Sequence, residues 1–295
     1  MSTNKDYKLK FLRMKNKKCF LAGYIVFCLL SCALVKAQTV ETPSSSPTTA
    51  SPSTTVEPPS PFKITADLVS SYIWRGTVSS PTPNFQPTFS FTTGPLEIGV
   101  WGSTDFIGVY KELDLYASLT TGPLKWTVTD YDFYFNENTK LIPYFTYVST
   151  SSHNGTVTNP TGHIFEGSIG YSGPASFPIS VTANVMFAGN DYKFSPTSPV
   201  NPATGLTQDI SKQAYSTYIE FDYTFKYFSP FLGITPSQGY YGDGYAGIGG
   251  FGVCNLGITA SKNLKISDAY SLPLKATLGF NPQRQDAYCV FGITF

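Results

Sequence analysis

Asp286-Ala287-Tyr288-Cys289-Val290-Phe291-Gly292-Ile293-Thr294-Phe295, the last ten residues, alternate apolar side chains with polar or small ones. Successive side chains of a strand face opposite ways, so Ala287, Cys289, Phe291, Ile293 and Phe295 share one face and Asp286, Tyr288, Gly292 and Thr294 the other. One face suits lipid and the other suits water. A sequence that stops inside such a strand predicts an outer-membrane β-barrel, whose last strand pairs with its first and leaves no open edge. Phe295 then also serves as a recognition signal for the barrel-assembly machinery.

The other end of the chain points the same way. Lys15, Lys17 and Lys18 precede an apolar run from Cys19 to Val35, and Val35-Lys36-Ala37 before Gln38 supplies small residues where a signal peptidase cuts. Residues 1–37 read as a cleaved export signal, with Met14 as an alternative start. Two other readings compete. One is an uncleaved anchor, because a run of about 17 residues is the lower limit for a spanning helix. The other is a lipoprotein signal, on the loose lipobox Leu29-Leu30-Ser31-Cys32.

Eight of the 20 basic residues and one of the 19 acidic residues lie in 1–37, which leaves 12 basic and 18 acidic and a net of −6. That balance argues against a nucleic-acid partner, which needs a clustered basic surface. Cys254 and Cys289 remain, both on predicted apolar strand faces, as small hydrophobes rather than a disulfide pair. Residues 38–61 hold six Pro, six Ser and six Thr with no periodicity. Such a stretch cannot bury enough surface to fold and predicts a disordered leader, with a tether or glycosylated stalk as alternatives.

From Phe62 to Phe295 the dominant pattern has period two. Phe62, Ile64, Ala66, Leu68, Tyr72 and Trp74 alternate with Lys63, Thr65, Asp67, Val69, Ser71 and Arg75. Leu96, Ile98 and Val100 alternate with Glu97, Gly99 and Trp101, and Leu113, Leu115, Ala117 and Leu119 with Glu112, Asp114, Tyr116 and Ser118. The stretches 179–187 and 215–225 repeat the pattern. Carboxylates fall again and again on the face away from lipid, whereas a soluble β-sandwich would carry its charges outside.

Thr93-Gly94-Pro95, Thr121-Gly122-Pro123 and Ser172-Gly173-Pro174 are tight turns, since Gly accepts φ > 0 and Pro fixes the next φ. Longer polar links near 77–83, 106–111, 137–160, 188–213, 237–248 and 282–285 alternate with short ones. Outer-membrane barrels show this asymmetry of short periplasmic turns and long outer loops. The predicted fold is therefore all-β, an antiparallel up-and-down transmembrane barrel. Twelve strands are expected, at 62–76, 84–93, 95–106, 111–121, 123–136, 162–172, 177–188, 213–226, 228–236, 249–262, 271–281 and 286–295. Ten or fourteen are the alternatives, because residues 141–149 fit either an extra strand or an inward-folded loop.

Two further expectations follow. The apolar set moves from Leu124, Trp126 and Val128 to Tyr131, Phe133 and Phe135, which predicts a bulge near Asp130. Tyr72, Trp74, Trp101, Trp126, Tyr144, Tyr147, Tyr215 and Tyr227 fall near predicted strand ends, where aromatic girdles meet the membrane interface.

Several of these segments carry a resemblance. Tyr72-Ile73-Trp74-Arg75-Gly76, Gln86-Pro87, Trp101-Gly102-Ser103 and Glu112-Leu113-Asp114-Leu115-Tyr116 resemble the pattern of the TorF-type outer-membrane porins. So do Gly162-His163-Ile164-Phe165-Glu166, Tyr215 to Glu220, Asn281-Pro282-Gln283 and Val290-Phe291-Gly292. The likeness covers about 230 residues, is similar in style to versions from Bacteroidetes-type bacteria, and leaves out the Pro/Ser/Thr leader. It implies a porin-like barrel in the outer membrane.

Inward by parity are Asp67, Arg75, Glu97, Asp105, Glu112, Asp114, Lys125, Glu166, Glu220, Asp222, Lys275 and Asp286. The pore-lining candidates are Arg75, Glu97, Asp105, Glu112, Asp114, Glu166, Glu220 and Asp222. An acidic lining favours cations over anions in a narrow tube. Arg75 opposite Glu112, Asp114 or Glu166 would set a transverse field at a constriction, or would lock a closed plug.

Enzymatic readings are weaker. His153 lies in a polar loop, and His163 faces lipid by parity with no carboxylate to orient it, so no catalytic residue is assigned. No metal-ligand spacing, phosphate-binding loop or dinucleotide fingerprint appears, and no cofactor is expected. The expected partners are outer-membrane lipid, the assembly machinery, and small solutes or ions. The expected function is a passive channel for small hydrophilic solutes with mild cation preference; the alternative is a filled, non-conducting barrel acting through its loops.

Overall fold

The computed structural model describes residues 60–135, 144–147, 150–151, 157–159, 161–195, 207–237, 239–241 and 250–295. The predicted signal, nearly all of the leader and most of 137–160 lie outside the described residues.

Twelve antiparallel strands close into a barrel. They are β1 (Phe62–Val69), β2 (Asn84–Thr93), β3 (Leu96–Asp105), β4 (Tyr110–Thr121), β5 (Leu124–Phe135) and β6 (His163–Ser172). The second half comprises β7 (Ile179–Gly189), β8 (Thr217–Tyr223), β9 (Ser229–Thr235), β10 (Gly252–Lys265), β11 (Ser271–Asn281) and β12 (Asp286–Thr294). Each strand pairs with the next along the chain, and β12 returns to β1. The turn end carries the short connections, among them the Gly94 and Gly122 turns, where φ is 54° and 59°. At the other end, the loop end, β1 joins β2 through 70–83, β3 joins β4 through 106–109 and β11 joins β12 through 282–285, and Phe135, His163, Gly189, Thr217, Thr235 and Gly252 are the strand ends there.

The wall is inverted relative to a soluble protein. Outward-facing Trp126, Val128 and Phe291 are 47%, 52% and 63% exposed, while inward-facing Glu112, Asp114 and Glu166 are at 4%, 5% and 0%. Three inward glycines hold the wall close. A methyl group on Gly99, Gly233 or Gly279 would overlap the ring of Tyr116, Tyr218 or Tyr288, each from a neighbouring strand. The tyrosine covers the gap that the missing side chain leaves.

Three expectations are corrected here. β5 keeps one register with β4 and with β6, so there is no bulge near Asp130: Tyr131 turns inward, and Asp130 and Asp132 continue the outward face. Register shifts fall instead at Phe165/Glu166 and at Gly233/Ile234. The second shift brings both Cys254 and Asn255 into the interior, so Cys254 is buried there and does not face lipid.

The largest correction concerns the predicted strand 62–76. β1 leaves the wall after Val69, because residues 70–83 bend into the bore. The seam is accordingly short: Asp67, Leu68 and Val69 pair with Thr294, Ile293 and Gly292. Backbone bonds between Ala66 and Phe295, and from Ser70 N–H to the Phe291 carbonyl, extend it by a residue on each side. β12 runs on to Asp286 with β11 alone beside it.

Candidate functional site

Residues Tyr72–Trp74 and Thr77–Ser80 form a small hairpin of their own, with Trp74 opposite Thr77 and Ile73 opposite Val78. Arg75 and Gly76 make its tip, at φ 49° and 80°. A two-residue turn with both φ positive matches the twist of its strands. Gly76 accepts that backbone freely, whereas for Arg75 it costs roughly 1 kcal/mol or more. The contacts of the guanidinium offset that cost.

Arg75 Nη1 and Nη2 donate to Glu166 Oε2 and Oε1 at 2.5 and 2.7 Å, a bidentate ion pair on a fully buried carboxylate. Planar fork-to-fork pairing of this kind fixes orientation as well as charge. Nη1 also donates to the Tyr241 hydroxyl, and Tyr131 donates to Glu166 Oε1 at 3.0 Å. The guanidinium carbon stands 4.8, 5.1 and 5.5 Å from the ring centres of Trp74, Tyr218 and Tyr241, an aromatic cage for the cation.

The rest of the hairpin meets the wall on its other sides. Tyr72 packs on Trp101 of β3 and Tyr110 of β4, and Trp74 on Tyr131 of β5 and on Tyr240 and Tyr241. Gly76 lies so close to the Cys254 carbonyl of β10 that no larger residue fits, and its own carbonyl accepts from Asn281 of β11 at 3.0 Å. The hairpin therefore crosses the bore and touches walls on opposite sides. Tyr72, Trp74 and Trp101, expected in a girdle, are inside it. Trp126, by contrast, is on the outer face.

The structure separates the sequence-predicted candidates into groups. Arg75 and Glu166 meet at the hairpin tip. Glu112 and Asp114 are buried in the β4 wall near Tyr72. Glu112 takes the Tyr110 hydroxyl at 2.5 Å, and Asp114 takes the Asp132 backbone N–H at 3.4 Å. Asp105 stands at the loop end, where it accepts from the Val109 N–H at 2.8 Å and the Thr82 hydroxyl at 3.3 Å, fixing the 106–109 turn and the hairpin base. Glu97 pairs with Lys125 at 3.1 Å towards the turn end.

Glu220 and Asp222 face a cavity of about 370 Å³ on the turn side of the hairpin. Tyr72, Arg75 and Gly76 bound it above, and Asp67, Lys275, Thr259, Thr277 and Tyr288 line its sides. Glu220 accepts from Tyr218 and, at 3.2 Å, from Asn255. Asp67 takes the Thr294 hydroxyl at 2.5 Å. Asp286, at the far end of β12, is not beside Arg75.

His163 also departs from expectation. Its parity is outward, as predicted, but it is fully buried and has carboxylates beside it: Nδ1 is 2.8 Å from Asp130 Oδ1, and Nε2 is 3.6 Å from Asp132 Oδ2. Nε2 also meets the Tyr144 carbonyl, and Tyr147 stacks on the ring at 4.2 Å. Every partner of the imidazole is an acceptor, which suits a group that ties 144–147 to the wall. The sequence pattern marks Asp130 only as the expected bulge and gives Asp132 no role. Among the described residues, no cluster of His, Cys, Asp and Glu is arranged to hold a metal ion.

No protein-family model and no curated protein matches the chain. Among solved structures it is similar to an engineered Rh. blastica porin, with a TM-score of 0.33 and 8% identity over 72% of this chain and 55% of that one. It is also similar to OmpF of Salmonella typhi in complex with daunomycin, at 0.34 and 10% over 79% and 97%. A third is BamA of Haemophilus ducreyi lacking POTRA domains 1–3, at 0.35 and 9% over 75% and 41%. The chain spans about half the length of the Rh. blastica porin. The assignment of a twelve-stranded closed barrel rests on the strand pairing itself.

Proposed function

We propose that the protein is an outer-membrane barrel of porin type, related to the TorF-type porins, that passes small hydrophilic solutes and prefers cations. Its bore is crossed by the 70–83 hairpin, which narrows it in this conformation. The observation that carries this reading is a hairpin anchored across a polar bore by one ion pair, with a ligand-sized polar chamber beneath it. The membrane placement is supported by the inverted wall, because lipid tolerates exposed Trp126, Val128 and Phe291 and demands that every backbone group be paired. Export through a cleaved signal and closure by the assembly machinery belong to the same reading.

The cation preference rests on the chamber, where Asp67, Glu220 and Asp222 outnumber Lys275 and Arg75, and Arg75 is already paired with Glu166. The test is conductance of the refolded full chain in a planar bilayer under a salt gradient. Discrete cation-selective steps are expected, and the paired replacement Glu220→Gln with Asp222→Asn shifts the reversal potential towards zero. Silence across voltages, from protein shown to be folded, would sink the channel reading. A second reading, a non-conducting barrel acting through its loops, is favoured by the hairpin's contacts on opposite walls, and it predicts that silence.

A further inference from the structure

β12 has an unused edge. Its pairing with β1 stops at Phe291, yet it continues to Asp286, a further five residues or about 17 Å at ~3.3 Å per residue. Among the described residues, that stretch pairs with β11 only. The chain that would have covered it is the one that turns into the bore.

The register of the seam extends without a break along the free edge of β12. Val69 is opposite Gly292 and Ser70 already bonds to Phe291. One residue at a time, Tyr72 then falls opposite Cys289, Ile73 opposite Tyr288, Trp74 opposite Ala287, and Arg75 opposite Asp286. The match is chemical as well as numerical. Tyr72 and Trp74 share the outward parity of Leu68 and stand beside the small side chains of Cys289 and Ala287, where a loop-end aromatic girdle belongs. Arg75 shares the inward parity of Asp67 and meets the carboxylate of Asp286, which forms no ion pair within 4.0 Å among the described residues. The other limb of the hairpin rejoins β2 through Pro81-Thr82-Pro83. Those prolines need no strand partner for a donor there, because β3 ends at Asp105.

We infer that the 70–83 segment is a gate with two seats. In one, it crosses the bore with Arg75 on Glu166. In the other, it lies along the free edge of β12 with Arg75 on Asp286, lengthening the β1–β2 hairpin and clearing the bore. The alternation of residues 62–76 fits the second seat and the aromatic cage fits the first. The hinges are Ser70-Ser71 and Pro81-Thr82-Pro83. This rests on the channel reading for its purpose but not for its geometry.

The test uses the full chain in lipid bilayers with Trp74→Cys and Ala287→Cys, and with Cys289→Ala to remove the neighbouring thiol. In the crossed seat the side chain at position 74 lies inside the bore against Tyr131 of β5 and Tyr240, and it is not paired with Ala287 across the β12 edge. In the wall seat the two positions are directly opposed at about 5.5 Å between Cα atoms, within disulfide range. Oxidation is expected to form the crosslink, read as a gel shift reversed by reductant. Separately, Glu166→Gln should raise the conducting fraction and Asp286→Asn should lower it, each by roughly tenfold, since each removes the charged partner of one seat.

Two results would overturn the gate: no crosslink in protein that shows the folded, heat-modifiable band, or both charge variants moving conductance the same way. A crosslink without any conductance would support the moving hairpin and remove the solute channel instead.

Discussion

Glu166 is the residue that anchors the hairpin across the bore, because it is fully buried and holds both nitrogens of the Arg75 fork. Removing one member of a buried pair strands the other charge, so Glu166→Ala is expected to cost about 3–5 kcal/mol. Reversible unfolding in urea from lipid vesicles measures it. Lys125→Ala is the contrast: both partners of its pair with Glu97 are partly exposed, at 49% and 30%, and a loss below about 1 kcal/mol is expected. How much of this was legible differs by residue. Parity identified Arg75 and Glu166 as inward and named Glu166 among three partners for Arg75. It could not choose among them, because alternation fixes the face of a strand and not the depth at which a bent segment meets it. The loop partners of His163 were missed for a related reason: Tyr144 and Tyr147 reach it from a loop, and no period links a loop to the strand that it covers, while Asp130 and Asp132 were missed because the expected bulge broke the face that they share with it.

At the scale of elements, the strands were legible and the hairpin was not. Tyr72-Ile73-Trp74 continues the alternation of β1 without a break, and nothing local separates a strand that stays in the wall from one that turns inward. The decision is tertiary, made by the Glu166 carboxylate and the rings of Trp101, Tyr110, Tyr131 and Tyr218 waiting in the bore. The two-residue turn at Arg75-Gly76 was hidden because arginine is an unusual occupant of a positive-φ site. The glycine–tyrosine pairs show what each strand contributes to the wall. Gly279→Ala forces a methyl group into the Tyr288 ring and is expected to destabilise the barrel by about 1–3 kcal/mol through overpacking. The same substitution at Gly94, a turn glycine with open space around it, meets no neighbour and pays only for its positive φ. At the base of the 190–216 loop, burial pushes the Asp191 carboxyl up, against hydrogen bonds from Ser216 and Gln213 that pull it down.

For the whole molecule, closure depends on a seam between residues more than two hundred positions apart. Asp67 and Thr294 meet across it, and the backbone bonds of Ala66 and Phe295 finish it. A seam this short has little redundancy. Ile293→Pro removes a donor from the middle of it, at a position paired on both sides with Leu68 and Leu274 and away from any bulge or strand start where proline is tolerated. The expected outcome is an open sheet that loses the compact, heat-modifiable gel band while the outward apolar face remains. The period-two pattern predicted twelve strands and this closure from the last ten residues, because alternation and turn spacing are properties of a strand's own sequence. Filling of the bore is not such a property. Folding the hairpin inward has one more effect, on what an attacking enzyme would find. The Arg75–Gly76 peptide bond is a tryptic site by sequence, and its side chain is clamped inside the barrel. Trypsin added at the loop end therefore finds intact chain there, and a nick after Arg75 records each time the tip has been outside.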